Sequence, residues 1–296
     1  MPDSRRLATY LIPYIFMATF QYQFAKDGLR FVDPFTFMGL RYLIAGSVCF
    51  AIARNFRPIL NRATLLLAFF TFLSSAFWAL GLEYVSPAQS AVLSYTMPLF
   101  AIPLSILLLR ERASRLVWMG ALLGFVGVAI YSLDLTSSGG SILGVMFSVF
   151  NAFFWALYSV FYRKLMNQSA VRTVATQFFV GGLLFFPFVP FTFYLDPTPG
   201  FFIDLAYVSL VGGVLTLLLW NYLVRMDTIG KITTLVFAVP ATSVAIQSIL
   251  THQLPTPLSI AGVCVMFAGI YVSRLKFGRR SPAAVPVDPG IPKKPD

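Results

Sequence analysis

Apolar stretches of bilayer-spanning length recur ten times along this chain, and the cations between them gather at alternate junctions. A helix needs roughly 20 apolar residues to cross about 30 Å of hydrocarbon. The stretches read Leu7 to Ala25, Phe35 to Ala53, Thr64 to Leu82, Pro87 to Leu109, Leu116 to Leu133, Ser141 to Phe161, Thr173 to Tyr194, Phe201 to Val224, Ile229 to Leu250 and Pro257 to Ser273. With 58% hydrophobic and 11% charged residues, a soluble globule would expose far too much hydrocarbon to water. The fold class expected is an all-α polytopic membrane protein of ten transmembrane helices. Almost no chain is left over for a soluble domain. The stretch Ser281 to Asp296, Pro-rich and carrying Lys293 and Lys294, reads as disordered.

Orientation follows from the loop cations, because short cytoplasmic loops retain Lys and Arg. One side carries Arg5, Arg6, Arg54, Arg57, Arg62, Arg110, Arg112, Arg115, Arg163, Lys164, Arg172, Arg225, Lys231 and the basic residues from Arg274 onward. The other side carries only Lys26 and Arg30, and Arg41 falls inside helix 2. Both termini are therefore expected in the cytoplasm, in a bacterial-type inner membrane. The net charge of +11 is accounted for by a cytoplasmic belt facing anionic lipid headgroups, which leaves nothing for nucleic acid to explain. The basic start also fits a signal peptide, but no small-residue cleavage site precedes Lys26 and nine further spans follow, so it reads as helix 1. Cys49 and Cys264 lie within spans without metal-ligand spacing and read as small hydrophobes rather than as a disulfide or zinc site.

The chain repeats itself. A shift of 142 residues pairs Trp78 with Trp220, Pro98 with Pro240, Gly120 with Gly262, Phe125 with Phe267 and Gly127 with Gly269. A shift of 137 pairs helix 1 with helix 6, setting Tyr14 on Asn151, Ala18 on Trp155 and Gln21 on Tyr158. Five helices per repeat is an odd number, so the second copy is expected to run through the membrane in the opposite sense. The charges agree: Glu83, at an outer end, corresponds to Arg225 at an inner one, and Gln89 corresponds to Lys231. The expected organisation is a first five-helix repeat over residues 1–136, a second, inverted one over 137–276, and a cytoplasmic tail over 277–296. Inverted repeats characterise secondary transporters, whose two halves exchange roles around a midplane site.

One run of residues carries a family likeness. Leu82-Glu83-Tyr84-Val85-Ser86-Pro87-Ala88-Gln89-Ser90-Ala91-Val92-Leu93, then Met97-Pro98-Leu99-Phe100, then Leu107-Leu108-Leu109-Arg110-Glu111-Arg112 resembles the helix 3 to helix 5 signature of the drug/metabolite transporter superfamily, ten-helix EamA-type branch. Phe24-Ala25-Lys26-Asp27-Gly28, Pro34-Phe35 and Leu40-Arg41-Tyr42 are similar to that family's opening hairpin. The second half departs from the pattern, with Gln253 and Leu254 at the positions matching Glu111 and Arg112. Within the family the chain looks closest to bacterial inner-membrane exporters of aromatic amino acids. The resemblance implies a carrier for small molecules, with no cofactor and no catalytic residue.

Candidate pathway residues come from helix faces, since polar residues in lipid turn toward the bundle interior or a water-filled cavity. Helix 6 shows Asn151, Trp155, Tyr158 and Tyr162 at helical spacing; the matching face of helix 1 has Tyr14, Ala18, Gln21 and Ala25. Helix 4 adds Ser86, Ser90, Ser94 and Pro98, with Tyr95 alongside. Helices 3 and 8 carry Ser74 with Trp78 and Thr216 with Trp220, and helix 9 contributes Thr233, Phe237 and Gln247. Lone Ser and Thr residues more often bond their own helix. Tyr84 and Trp118 suit interface anchors. Pro98 and Pro240 remove a backbone donor in mid-helix and read as breaks beside the site. Gly120, Gly124, Gly127, Gly262 and Gly269 suit close helix packing; Gly181-Gly182 and Gly212-Gly213 are candidate hinges.

No Asp or Glu falls near the centre of a span, so the usual carboxylate of a proton relay is missing, and His252 is expected in a solvated loop. Arg41 has two readings: it attracts an anionic or zwitterionic substrate, or its long stem carries the charge outward beside the Asp33 region, and the second is the blander one. Enzyme chemistry lacks a nucleophile and base, a carboxylate pair or metal ligands, and there is no phosphate-binding glycine loop. The expectation is therefore an alternating-access exporter of aromatic and other hydrophobic amino acids, working by facilitated diffusion. Its partners would be the small-molecule substrate and membrane lipid, with no nucleic acid and no obligate protein partner evident. Multidrug or other metabolite efflux, proton-coupled or not, is the alternative, and a channel stays open.

Overall fold

Several helices in this chain start with a capping side chain followed by proline. Asp33-Pro34, Ser86-Pro87, Thr198-Pro199 and Thr256-Pro257 each place an oxygen acceptor on the first free backbone N–H groups and a ring whose fixed φ suits the first turn. Asp33 accepts from Phe35 N and Thr36 N, and Ser86 with Gln89 completes a reciprocal capping box. The computed structural model describes residues 4–137, 141–252 and 254–275. The expected tail of residues 277–296, Gln253 and the side chains of Arg5, Asp134 and Arg274 lie outside the described residues.

Within those residues the chain is nearly all helix. Its first half comprises α1 (Ser4–Gly28), α2 (Pro34–Ala53), α3 (Arg62–Tyr84), α4 (Pro87–Ser94), α5 (Met97–Leu109) and α6 (Arg115–Ser137). The second comprises α7 (Ile142–Lys164), α8 (Ala170–Leu183), a single turn α9 (Val189–Thr192), α10 (Pro199–Ala206), α11 (Thr216–Met226), α12 (Ile229–Leu235), α13 (Ala238–Thr251) and α14 (Pro257–Arg274). Between α10 and α11 the helix widens into a π-helical stretch, Tyr207–Leu215. Seven segments are long and apolar enough to cross a membrane, and Pro257–Ser273 is a shorter apolar helix. This is a multi-pass membrane fold.

Three departures from the expected spans have local causes. The span expected from Thr173 to Tyr194 is helical only to Leu183, because Pro187 and Pro190 can donate nothing to the carbonyls four residues back and restrict the residues before them. Helices 4 and 9 break at corresponding places. α4 ends at Ser94 and α5 begins at Met97; α12 ends at Leu235 and α13 begins at Ala238. Pro98 has no N–H for the Ser94 carbonyl and Pro240 none for that of Val236, so each break opens just upstream of its proline.

The two halves meet through reciprocal contacts. α6 lies along α14, where a Cβ on Gly120 would stand 2.6 Å from the Gly269 carbonyl oxygen and one on Gly127 would stand 2.6 Å from that of Gly262. Since Gly262 and Gly269 match Gly120 and Gly127 in the repeat, each glycine touches the counterpart of the other, as across a two-fold axis. The rest of the packing follows the same exchange: α3 lies on α7 while α1 lies on α11, and α2 lies on α8. Small residues let the backbones approach in this way, which lipid-exposed helices need because lipid supplies no hydrophobic drive to pair them.

Candidate functional site

Between these packed pairs lies a cavity of about 90 Å³, walled by residues from both halves. That is room for about six water-sized occupants. Of the residues expected on the pathway, Tyr14, Gln21, Ser74, Trp78, Ser94, Tyr95, Asn151, Trp155 and Thr216 line it. The broken helix explains part of this, because Ser94, Tyr95 and Met97 reach the wall around the gap between α4 and α5.

Polar groups in the wall are mostly tied to each other. The Asn151 amide donates to Ser94 Oγ (2.8 Å) and accepts from Ser74 Oγ (2.7 Å), so one side chain joins α7 to α3 and α4. The hydroxyls of Tyr14 and Tyr95 are 3.4 Å apart, and Tyr42 bonds Ser75 Oγ (2.7 Å) and the Thr71 carbonyl (2.8 Å). Aromatic rings form the apolar part. Trp155 packs on Trp220 with centroids 6.0 Å apart and stacks on Tyr158 at 5.0 Å, while Tyr22 meets the edge of Trp78 at 5.5 Å.

Other expected residues stand behind or beyond the wall. Trp220 is fully buried, packs on Tyr14 and donates its indole N–H to Ser159 Oγ (3.0 Å). Tyr158 is also buried and donates to Asn221 Oδ1 (2.7 Å). Phe237 packs on Gly124, and Gln247 accepts from the backbone N–H of Ala88 (2.9 Å), tying α13 to the start of α4. Thr233 bonds the Gly230 carbonyl, Ser90 is buried within α4, and Pro98 and Pro240 are buried beside their breaks. None of these eight lines the cavity.

Several lining residues have no place among the expected pathway residues: Tyr22, Tyr42, Thr71, Ser75 and Phe178. Arg41, whose blander reading turned its stem outward beside the Asp33 region, lines the cavity instead. A signal existed for some. Thr71, Ser74, Ser75 and Trp78 form one stripe at three and four residues' spacing, and Tyr22 continues Tyr14 and Ala18 by four.

Among the described residues that line the cavity Arg41 alone is charged, and it is 5% exposed. Its Nε donates to the Val208 carbonyl (3.2 Å), one terminal nitrogen meets Met38 Sδ (3.6 Å), and its carbon lies 5.1 Å from the centre of the Trp78 ring and 5.8 Å from that of Tyr42. In the amide orientation that satisfies both neighbours, Gln21 accepts from the other terminal nitrogen (3.0 Å) and donates to the Gly212 carbonyl (3.0 Å). Both carbonyls belong to the π-helical stretch. Such a widened turn commonly marks a functional segment. The absence of a side chain at Gly212 gives the Gln21 amide its place, since a Cβ there would stand 2.7 Å from that amide and the Gln21 side chain would have to shift.

Away from the cavity, the loop after α5 touches the second half. Glu111 pairs with Arg163 Nε (3.0 Å) and accepts from Ile229 N (3.0 Å), while Arg163 also donates to the carbonyls of Val224 (2.8 Å) and Asp227. Burial pushes the Glu111 carboxyl above its ordinary value against the opposing pull of Arg163 and the Ile229 N–H.

Residues 8–133 and 142–275 each match the EamA-like transporter family. The chain is 45% identical to an uncharacterized transporter in the sor 3′ region of Acidianus ambivalens, over 81% of this chain and 93% of that one. It is 26% identical to a probable amino-acid metabolite efflux pump of Salmonella typhimurium, over 88% of this chain and 92% of the pump. A protein known from its crystal structure shares the fold with a TM-score of 0.76 at 18% identity, over 92% of this chain and 97% of its own.

Proposed function

This chain belongs to the EamA-like transporter family, and on that premise we propose that it exports aromatic and other hydrophobic amino acids by alternating access. The observation that carries this reading is the cavity between the two halves, walled by Tyr14, Trp78 and Trp155 from three different helices and by Tyr95 in the break between α4 and α5. Rings set at 5.0 to 6.0 Å offer an aromatic side chain both faces and edges. A relative named as a probable amino-acid metabolite efflux pump supports the substrate class.

In this reading ten helices cross a bacterial-type inner membrane with both termini in the cytoplasm, as two five-helix halves, residues 1–136 and 137–276, of opposite sense. The reciprocal glycine contacts of α6 and α14 support that symmetry, because halves related by such an axis can exchange conformations and present one site to either side. The substrate pathway would include the nine lining residues expected from sequence, with Tyr158 and Trp220 shaping the wall from behind. Transport would run down the substrate gradient, since proton coupling needs a group that exchanges protons in step with substrate and no carboxylate among the described residues lines the cavity.

Purified protein in liposomes provides the test. Phenylalanine loaded inside should leave without a pH gradient or membrane potential, and single-turnover counterflow should be seen. Accumulation against the amino acid gradient under a proton gradient alone would defeat facilitated diffusion, and absence of counterflow with net flux intact would indicate a channel. Efflux of cationic drugs, which aromatic walls otherwise favour, is disfavoured by Arg41, which already occupies the ring faces of Trp78 and Tyr42 with positive charge.

A further inference from the structure

Arg41 and Trp78 are donors that the protein itself leaves short of acceptors. The guanidinium carries five N–H groups in a rigid fork and cannot be neutralised by losing a proton. Two of them go to oxygen, on Val208 and Gln21, and one to the weakly accepting sulfur of Met38. No carboxylate pairs with Arg41 among the described residues. On the same wall the indole N–H of Trp78 is buried with no partner, although its ring lies 5.1 Å from the Arg41 carbon. A buried cation is ordinarily matched by an anion. Here the fold instead holds the charge in place from behind, through the π-helical carbonyls and Gln21, and leaves it beside open volume.

We propose that Arg41, with the indole N–H of Trp78, is a carboxylate-binding site, and that the cavity selects a monocarboxylate with an aromatic or apolar body whose amino group is dispensable. This rests on the reading of the cavity as the substrate site and deepens it. The fork of a guanidinium matches the two oxygens of a carboxylate, and the surrounding rings take the apolar body. An ammonium group finds no counter-ion, because no Asp or Glu among the described residues lines the cavity, and the Asn151 carbonyl already accepts from Ser74. A zwitterionic amino acid is therefore bound through its carboxylate, while the corresponding acid without the amine meets the same donors and escapes repulsion between its ammonium and Arg41.

Competition on the wild-type protein tests this. Counterflow of labelled phenylalanine in liposomes is measured against 3-phenylpropionate, phenylalaninamide and phenethylamine, with quenching of intrinsic tryptophan fluorescence as a binding readout that needs no transport. The proposal expects 3-phenylpropionate to compete at least as well as phenylalanine, and the amide and amine to be weaker by about tenfold or more, the scale of a lost charge-assisted bond. Amide or amine competing as well as phenylalanine overturns it while leaving amino acid export intact. Fluorescence binding of 3-phenylpropionate with no phenylalanine counterflow sustains the carboxylate site and removes the amino acid reading instead. Arg41→Gln should abolish the preference for acid over amide. Should that variant fail to fold, Trp78→Phe, which keeps a ring and removes the N–H, should weaken 3-phenylpropionate several-fold and leave the amide unchanged; equal weakening of both overturns the role of Trp78.

Discussion

Two tryptophans that both sit on polar helix stripes in the sequence, Trp155 and Trp220, have different surroundings, and this separates their roles. Trp155 lines the cavity, whereas Trp220 is fully buried one layer behind and bonded to Ser159. Trp155→Ala should weaken transport of phenylalanine by about 2- to 12-fold, the scale of one aromatic contact of about 0.5–1.5 kcal/mol, and spare valine. Trp220→Ala should instead cost about 3–5 kcal/mol of stability by leaving a void. Parallel uptake of the two amino acids into liposomes and melting in detergent measure both; a selective loss of phenylalanine transport by Trp220→Ala at unchanged Tm would reverse the assignment. The stripes that carried Tyr14, Trp78, Asn151 and Trp155 were legible because helical spacing puts them on one face. Whether the face meets a cavity or a packed neighbour was not, and Tyr158 and Trp220 share stripes with lining residues while contributing no surface to the cavity.

Helix pairs show where backbone contact is strict. At Gly127 a Cβ would meet the Gly262 carbonyl and, at 2.7 Å, the Met266 nitrogen, both of them backbone and unable to turn away. Gly127→Ala should therefore destabilise by about 1–3 kcal/mol through overpacking, read as a lower Tm in detergent. Gly200→Ala, where the nearest atom is the Phe31 ring at 3.4 Å, should be silent. A silent Gly127→Ala would mean that α6 and α14 are free to separate. The loop joining α5 to α6 makes a second element-level prediction. Because burial raises the Glu111 carboxyl above its ordinary value of 4.5, the folded protein holds that proton more tightly than the unfolded chain. This group's contribution to stability therefore rises as pH falls through the window just above that value, and falls as pH rises through it. Glu111→Gln should flatten that part of the Tm profile, and an unchanged pH slope would place the titration elsewhere.

At the scale of the molecule, the cation pattern predicts sidedness. In a background of Cys49→Ser and Cys264→Ser, a cysteine replacing exposed Arg57 should react with an impermeant maleimide only after cells are permeabilised, and one replacing exposed Arg30 should react in intact cells. The reverse pattern would invert the topology. The apolar stretches, the polytopic all-helical class, the two matching halves and the places where helices 4 and 9 break could all be read from the chain alone. Each depends on residues close in sequence, whether an apolar run against a bilayer, a proline against the carbonyl four residues back, or a motif against its own copy. The overrun of the expected span beyond Leu183, from Leu184 to Tyr194, could have been read in the same way, from Pro187 and Pro190. Arg41 is different. The sequence shows a cation inside a span, but its guanidinium is held by a carbonyl 167 residues away, supplied by a π-helical turn that no local pattern announces. Ser74 likewise meets Asn151 across 77 residues. The rotation of each helix about its axis, and the neighbour it packs against, depend on the sum of contacts with every other helix. Only the tertiary structure could therefore decide that this one charge, beside an aromatic cavity, meets no carboxylate among the described residues.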